Sequence, residues 1–261
     1  MFNLLSKVRE VNPLVLHYTN EVTINDCANI TLALGASPLM SYSYEEIEEI
    51  IPIASCVVIN IGTMNSSHTE LFLKAGKIAN KFNKPVVLDP VGVFATKSRA
   101  LLVEKLLNEV KFDVIKGNAS EIKYIGGFDV KGKGVDSFEE DENIDDIIKK
   151  VAKKLECVVA STGKIDVITD GEKVIKIDNG SSKLKSITGT GCMSASLIGS
   201  YLGISENKLE SASMGILTMS LCGELADKDN IGIGSFKVSL MDNIYSLNKE
   251  TLNKFSRVEV L

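Results

Sequence analysis

The chain has 261 residues, with 29 basic and 34 acidic side chains and a formal charge of −5. Its 44% hydrophobic and 24% charged residues are those of a globular chain rather than a disordered one. The acidic balance, with no long basic block, excludes a phosphate-neutralising nucleic-acid face and a polybasic membrane patch.

At the N-terminus the apolar start is broken by Lys7, Arg9 and Glu10 before a signal-peptide core can form. No apolar run approaches the roughly 18 residues of a membrane span. The expectation is a cytoplasmic protein. Five cysteines (Cys27, Cys56, Cys157, Cys192, Cys222) stand at least 29 residues apart, and the two histidines, His17 and His68, do not cluster with them. Neither a disulfide scaffold nor a cysteine zinc site fits that spacing.

In chain order, Cys27 falls in a helical stretch between Ile24 and Ile30. Residues 55–60 form a short apolar run, as in a strand buried on both faces. A helix is predicted over 69–82, with Ser66 or Ser67 as its cap. Residues 85–89 read as a strand, 98–110 as a helix, 112–115 as a strand and 118–125 as a helix. A glycine-rich loop (126–134) and an acidic stretch (139–146) lead into a helix over 147–155, whose N-terminal dipole favours carboxylates. Residues 157–161 are strand-like, and 165–169 with 173–177 read as a hairpin turning at Asp170-Gly171. The remainder reads as mostly helical: 192–201, 207–226 and 235–246. Strands alternating with helices predict a single α/β domain over 1–261, with a mainly parallel sheet covered on both faces.

Gly127, Gly132 and Lys133 have the spacing of a phosphate-binding P-loop, but Gly134 follows where a magnesium-binding hydroxyl belongs, and a helix precedes where a strand should. More informative is Thr188-Gly-Thr-Gly-Cys192, which opens a helix rich in small residues. Glycines ahead of a helix let the N–H groups of Gly189, Thr190, Gly191 and Cys192 converge as an anion hole; close packing of a buried helix is the other use of such glycines. Cys192 lies in the first helical turn, where the dipole is expected to lower its thiol pKa. Asp89 ends a buried strand and Glu121 starts a helix. The two could share a magnesium ion that keeps its waters, or could serve only a turn and a helix cap.

Fragments occurring in one order settle these alternatives. They are Thr19-Asn20 with Ala28-Asn29, Leu34-Gly-Ala-Ser-Pro-Leu-Met40, Asn60-Ile-Gly-Thr63, Leu88-Asp-Pro-Val-Gly92, Lys116-Gly-Asn-Ala-Ser-Glu121, Gly132-Lys-Gly-Val-Asp136, Thr162-Gly-Lys-Ile-Asp-Val167, Thr188-Gly-Thr-Gly-Cys192 and Gly234-Ser-Phe236. Together they resemble the hydroxyethylthiazole kinases, thiamine-salvage enzymes of the ribokinase-like superfamily, from about Pro13 to about Leu247.

The resemblance implies ATP-dependent phosphorylation of the primary hydroxyl of 4-methyl-5-(2-hydroxyethyl)thiazole. It implies Met40 and Gly189 on the thiazole with Asn20 nearby, and Lys116 and Thr162 on ATP. It also implies Asp89 and Glu121 managing Mg2+ and phosphates, and a homotrimer with substrate pockets between subunits. Lys116 stands where some members of the family carry arginine, which forfeits a bidentate fork on phosphate. Cys192 stands where the superfamily's sugar kinases place an aspartate base. The Asn20, Met40 and Cys192 neighbourhoods point to the thiazole branch rather than to hydroxymethylpyrimidine or pyridoxal kinases. The expected role of Cys192 is to position the hydroxyl.

Overall fold

The structure is a computed structural model that describes residues 1–128, 144–227 and 231–261. The Gly132–Asp136 motif, most of the glycine-rich loop and the acidic residues up to 143 lie outside the described residues.

Nine strands form one sheet: β1 (Leu14–Tyr18), β2 (Ser37–Met40), β3 (Cys56–Asn60), β4 (Val86–Asp89), β5 (Val114–Asn118), β6 (Val158–Thr162), β7 (Asp166–Thr169), β8 (Val174–Ile177) and β9 (Val258–Val260). Their spatial order is 2-1-3-4-5-6-7-8-9, parallel from β2 to β6 and antiparallel from β6 to β9. The mainly parallel sheet is therefore as expected, with an antiparallel flank that includes the predicted hairpin. Apolar runs such as Cys56–Ile59 are buried along their whole length because helices cover both faces.

Alternate side chains feed two cores. Val15, Val58 and Val87 face a layer of α1 (Asn3–Val11), α2 (Ile24–Leu34), α8 (Thr190–Leu202), α9 (Lys208–Ala226), α10 (Ile233–Ser246) and α11 (Lys249–Phe255). Leu16, Val57 and Leu88 face α3 (Ile47–Ile50), α4 (Ser66–Lys81), α5 (Lys97–Glu109), α6 (Ala119–Gly126) and α7 (Ile144–Leu155). Among the described residues no helix is long and apolar enough to cross a membrane.

The structure corrects two local expectations. Helix α4 starts at Ser66, three residues before the predicted 69, and Asn65 supplies its cap by accepting the His68 N–H at 3.1 Å. Strand β5 runs on to Asn118 instead of ending at 115, because Lys116, Gly117 and Asn118 pair with Ala160, Ser161 and Thr162 of β6. The C-terminal part is mostly helical, as expected, with residues 258–260 returning as β9 beside β8.

Candidate active site

After β1 the chain crosses to β2 on one side, then returns to β3 on the other. The carboxyl ends of β1 and β3 thus flank the topological switch point, where open α/β sheets bind ligands. Polar residues collect there. Asn20 lies just beyond β1, and Asn60, Asp89, Asn118 and Thr162 each end a strand.

A directional hydrogen-bond chain joins the first three. Asn20 Nδ2 donates to Asn60 Oδ1 at 2.9 Å and to Cys192 Sγ at 3.3 Å, and Asn20 Oδ1 accepts the Thr23 N–H at 3.1 Å. Asn60 Nδ2 in turn donates to Asp89 Oδ2 at 2.6 Å. Asp89 is fully buried; its Oδ1 accepts no hydrogen bond and faces Lys116 Nζ at 3.5 Å. Burial raises the Asp89 carboxyl pKa, opposed by the Lys116 ammonium and the Asn60 donor. Burial would lower the Lys116 ammonium, but Asp89 and Glu121 outweigh it and hold the lysine charged. Lys116 is therefore an internal cation rather than a surface arm.

Above this pair lies the glycine turn. Gly189, the N-cap of α8, has φ +88°, and a Cβ there would come within 2.5 Å of Thr23 Cγ2. At Gly191 a Cβ would stand 2.8 Å from Lys116 Nζ, so the missing side chain makes room for the ammonium. The first N–H of α8 to find a helical acceptor is that of Met193, on Gly189 O at 2.8 Å. The preceding N–H groups of Thr190, Gly191 and Cys192 sit at the positive end of the helix.

The direction expected for Cys192 is reversed. Its thiol pKa is raised, because burial and the neighbouring Asp89 charge outweigh Lys116. Burial penalises the thiolate by more than the cationic surroundings at the helix start favour it. Cys192 is a neutral thiol that accepts from Asn20 and has the Asp89 carboxylate within reach of its own S–H.

Glu121 is bound on both oxygens. Oε1 accepts the Gly92 N–H and Oε2 the Asn118 N–H, each at 2.8 Å, while Asn118 Oδ1 caps the Glu121 N–H at 2.9 Å. Burial raises its pKa against the pull of Lys116. The capping use of Glu121 is thus present in full. Thr162 sits beside Asn118 across β5 and β6, with Oγ1 donating to Gly117 O at 3.4 Å. Met40 is half-buried at the end of the edge strand, paired with His17 in register, and does not join the hydrogen-bond chain.

The donor set suits a hydrated magnesium ion. Asp89 offers a buried oxygen that accepts no hydrogen bond, Glu121 is joined to the loop after Asp89 through the Gly92 N–H, and among the described residues no three His, Cys, Asp or Glu side chains form a cage. Magnesium held through its waters and substrate phosphates needs no such cage.

Two site residues were missed in the sequence. Asn60 is the central link, and its signal was a polar residue closing a wholly apolar strand. Arg99 donates to the carbonyls of Ile61 at 2.9 Å, Val91 at 2.8 Å and Gly62 at 2.6 Å, tying together the loops after β3 and β4. Nothing in its helical surroundings announces that role.

The sheet order, the switch-point cluster and the glycine-led helix define a fold of the ribokinase-like class. A ribokinase-like superfamily protein from Enterococcus faecalis shares that fold, with a TM-score of 0.66 at 13% identity over 94% of each chain. More specifically, residues 5–250 match the model of the hydroxyethylthiazole kinase family, and the chain belongs to that family. It is 65% identical over the full length of both chains to a hydroxyethylthiazole kinase of Clostridioides difficile (strain 630). The solved structure of a hydroxyethylthiazole kinase protein from Pyrococcus horikoshii OT3 superposes with a TM-score of 0.89 at 36% identity, covering 100% of this chain and 98% of the other.

Proposed function

We propose that the protein transfers the γ-phosphoryl group of ATP to the primary hydroxyl of 4-methyl-5-(2-hydroxyethyl)thiazole, in thiamine salvage. The full-length 65% identity to a named hydroxyethylthiazole kinase carries this reading. The switch-point cluster supports it, with a buried cation at Lys116, a carboxylate oxygen of Asp89 that accepts no hydrogen bond and a glycine-led helix start at Gly189.

In the reaction the substrate hydroxyl oxygen forms a bond to the γ-phosphorus, and the bond to the bridging oxygen breaks, releasing ADP. The transition state is loose, so positioning and charge stabilisation supply most of the acceleration. Met40, Gly189 and Asn20 hold the thiazole side. The Cys192 thiol orients the hydroxyl, since a neutral S–H is a donor and a poor base. Asp89, the carboxylate with an unbonded oxygen, takes the hydroxyl proton. Lys116 and the N–H groups of the 189–192 turn meet the transferred phosphoryl, and Thr162 contacts ATP. Asp89 and Glu121 would hold Mg2+ through its waters; the ion supplies charge neutralisation on the phosphates.

The whole of 1–261 works as one kinase domain, a reading favoured by the single sheet that recruits β1 and β9 from opposite ends of the chain. Its setting is the cytoplasm, and its assembly a homotrimer with pockets between subunits. The test is ADP release from MgATP with hydroxyethylthiazole, hydroxymethylpyrimidine or pyridoxal. Release dependent on the thiazole is expected; no release with any of the three alcohols would sink the reading.

A further inference from the structure

One buried carboxylate has no part in the mechanism. Asp166, the first residue of β7, is 5% exposed and forms no ion pair among the described residues. An unpaired charge in such a place costs folding free energy, and burial pushes its carboxyl up to about 6. Its two oxygens are committed to different elements. Oδ1 accepts the Gly163 N–H at 3.0 Å, and Oδ2 accepts the Ser220 hydroxyl of α9 at 2.6 Å.

Gly163 opens the three-residue turn that joins β6 to β7, directly after Thr162. The outer side of that turn is open: Gly163, Lys164 and Ile165 are exposed and Thr162 is half-buried. Its inner side is fastened through Asp166 to the middle of a 19-residue helix. A carboxylate can accept both donors at once, and charge-assisted bonds are short and directional. The arrangement resembles a bolt on the one turn that carries Thr162.

We propose that Asp166 and Ser220 are positioning residues for the nucleotide, setting the Thr162–Gly163 turn so that its outer edge receives ATP. The proposal rests on the reading of Thr162 as an ATP contact. A hairpin closed only for stability would need neither a charged residue nor a helix hydroxyl, because the β6–β7 ladder from Ser161–Val167 to Val159–Thr169 already closes it.

The test compares Ser220→Ala, Asp166→Ala and Asp166→Asn with the native protein in steady-state kinetics, in ADP binding by calorimetry and in thermal melting. Loss of one anchoring hydrogen bond is worth about five- to tenfold in affinity. Ser220→Ala and Asp166→Ala are therefore expected to raise KM for ATP and Kd for ADP by about that factor. KM for the thiazole and kcat at saturating ATP should stay within about twofold. Asp166→Asn can still accept from Gly163 and donate to Ser220, so it should restore nucleotide affinity. If Asp166→Ala fails to fold, Ser220→Ala carries the measurement. Unchanged nucleotide affinity in Ser220→Ala, or both KM values rising together with a lower Tm, would overturn the proposal. Native protein that binds no ADP would instead overturn the ATP site on which the proposal is built.

Discussion

Two buried side chains at the site differ in what they can do with a proton, and kinetics should separate them. Cys192 is a raised-pKa thiol that accepts from Asn20, whereas Asp89 is a carboxylate with an unbonded oxygen. Positioned proton transfer contributes typically 10²–10⁴-fold. Asp89→Asn is therefore expected to lower kcat by about 10³-fold, and Cys192→Ala by about tenfold, with thiazole and ATP affinities kept in the latter. A Cys192→Ala loss as deep as that of Asp89→Asn would mean that orienting the hydroxyl understates the role of the thiol. A second residue-scale prediction concerns His17, which is buried between Val15 O and Ser196 Oγ, each 3.0 Å away. Nδ1 carries the proton toward the carbonyl, so Nε2 accepts from Ser196 and the ring is neutral. Burial lowers its pKa from 6.5 to about 4. Below pH 6.5 the unfolded chain takes up a proton that the folded chain refuses. Stability is thus fully present above that pH and is lost on acidification through the window down to about 4, by up to about 3 kcal/mol. Urea midpoints of His17→Gln should be lower than native at pH 7.5, yet fall less steeply between pH 6.5 and 4. Parallel acid limbs would show that His17 does not set that slope.

At the scale of elements, the small residues of α8 and α9 let the two helices pack at short range. A Cβ at Gly215 would lie 2.5 Å from Ile198 Cγ1 and 2.6 Å from the Ile198 nitrogen, and backbone cannot swing aside as a side-chain tip can. Gly215→Ala is expected to cost about 1–3 kcal/mol, enough to lower Tm by several degrees. Gly234, in the first turn of α10, has open space where a methyl group would stand, with nothing among the described residues within 4 Å, so Gly234→Ala should be neutral or gain up to about 0.5 kcal/mol from helix propensity. Melting curves of the pair test packing against propensity directly; equal shifts would defeat the argument. The same distinction explains what the sequence disclosed. Strands β3, β4 and β6 are legible because both faces are buried, which leaves uninterrupted apolar runs. Strand β2, Ser-Pro-Leu-Met, lacks that signal: it is an edge strand with one partner, where Pro38 is tolerated and burial is only partial. The extent of β5 was hidden because Lys116-Gly117-Asn118 has the composition of a turn, and only pairing with β6 makes it strand. At the site, ordered motifs brought Asp89, Lys116 and Cys192 forward, but the direction of the Cys192 shift depends on burial, which spacing does not encode. Nor could it show that Asn20 and Asn60, 40 residues apart, meet at 2.9 Å.

For the whole molecule the question is whether one chain completes the site. Asn20, Asn60 and Asp89 come from the first 89 residues and Cys192 from the last third of the chain, so one fold gathers the residues proposed for phosphoryl transfer. The surface beyond Asn20 is more apolar. Val22, two residues past Asn20, is 62% exposed, and Leu32 of α2 and Val238 and Tyr245 of α10 are 56%, 61% and 74% exposed. Helices α2 and α10 are fastened side by side by the Lys237–Asp26 ion pair at 2.7 Å, and Arg9 bonds the carbonyls of Leu34 and Leu247 at their far ends. Apolar side chains on such a rigid pair are suited to a closed symmetric contact between identical subunits. Light scattering should accordingly give about three times the 28.3 kDa chain mass. Leu32→Glu combined with Val238→Glu places charge where apolar contact is needed and is expected to return the mass to that of one chain, because a buried unpaired carboxylate costs several kcal/mol. If the thiazole pocket lies between subunits, KM for the thiazole should rise at least about tenfold in that variant, while ADP affinity stays near native, because the turn proposed to bind ATP lies within one chain. A single chain with native KM for the thiazole would mean that each subunit builds its pocket alone, and Met40 would then have to reach the substrate from its own edge strand.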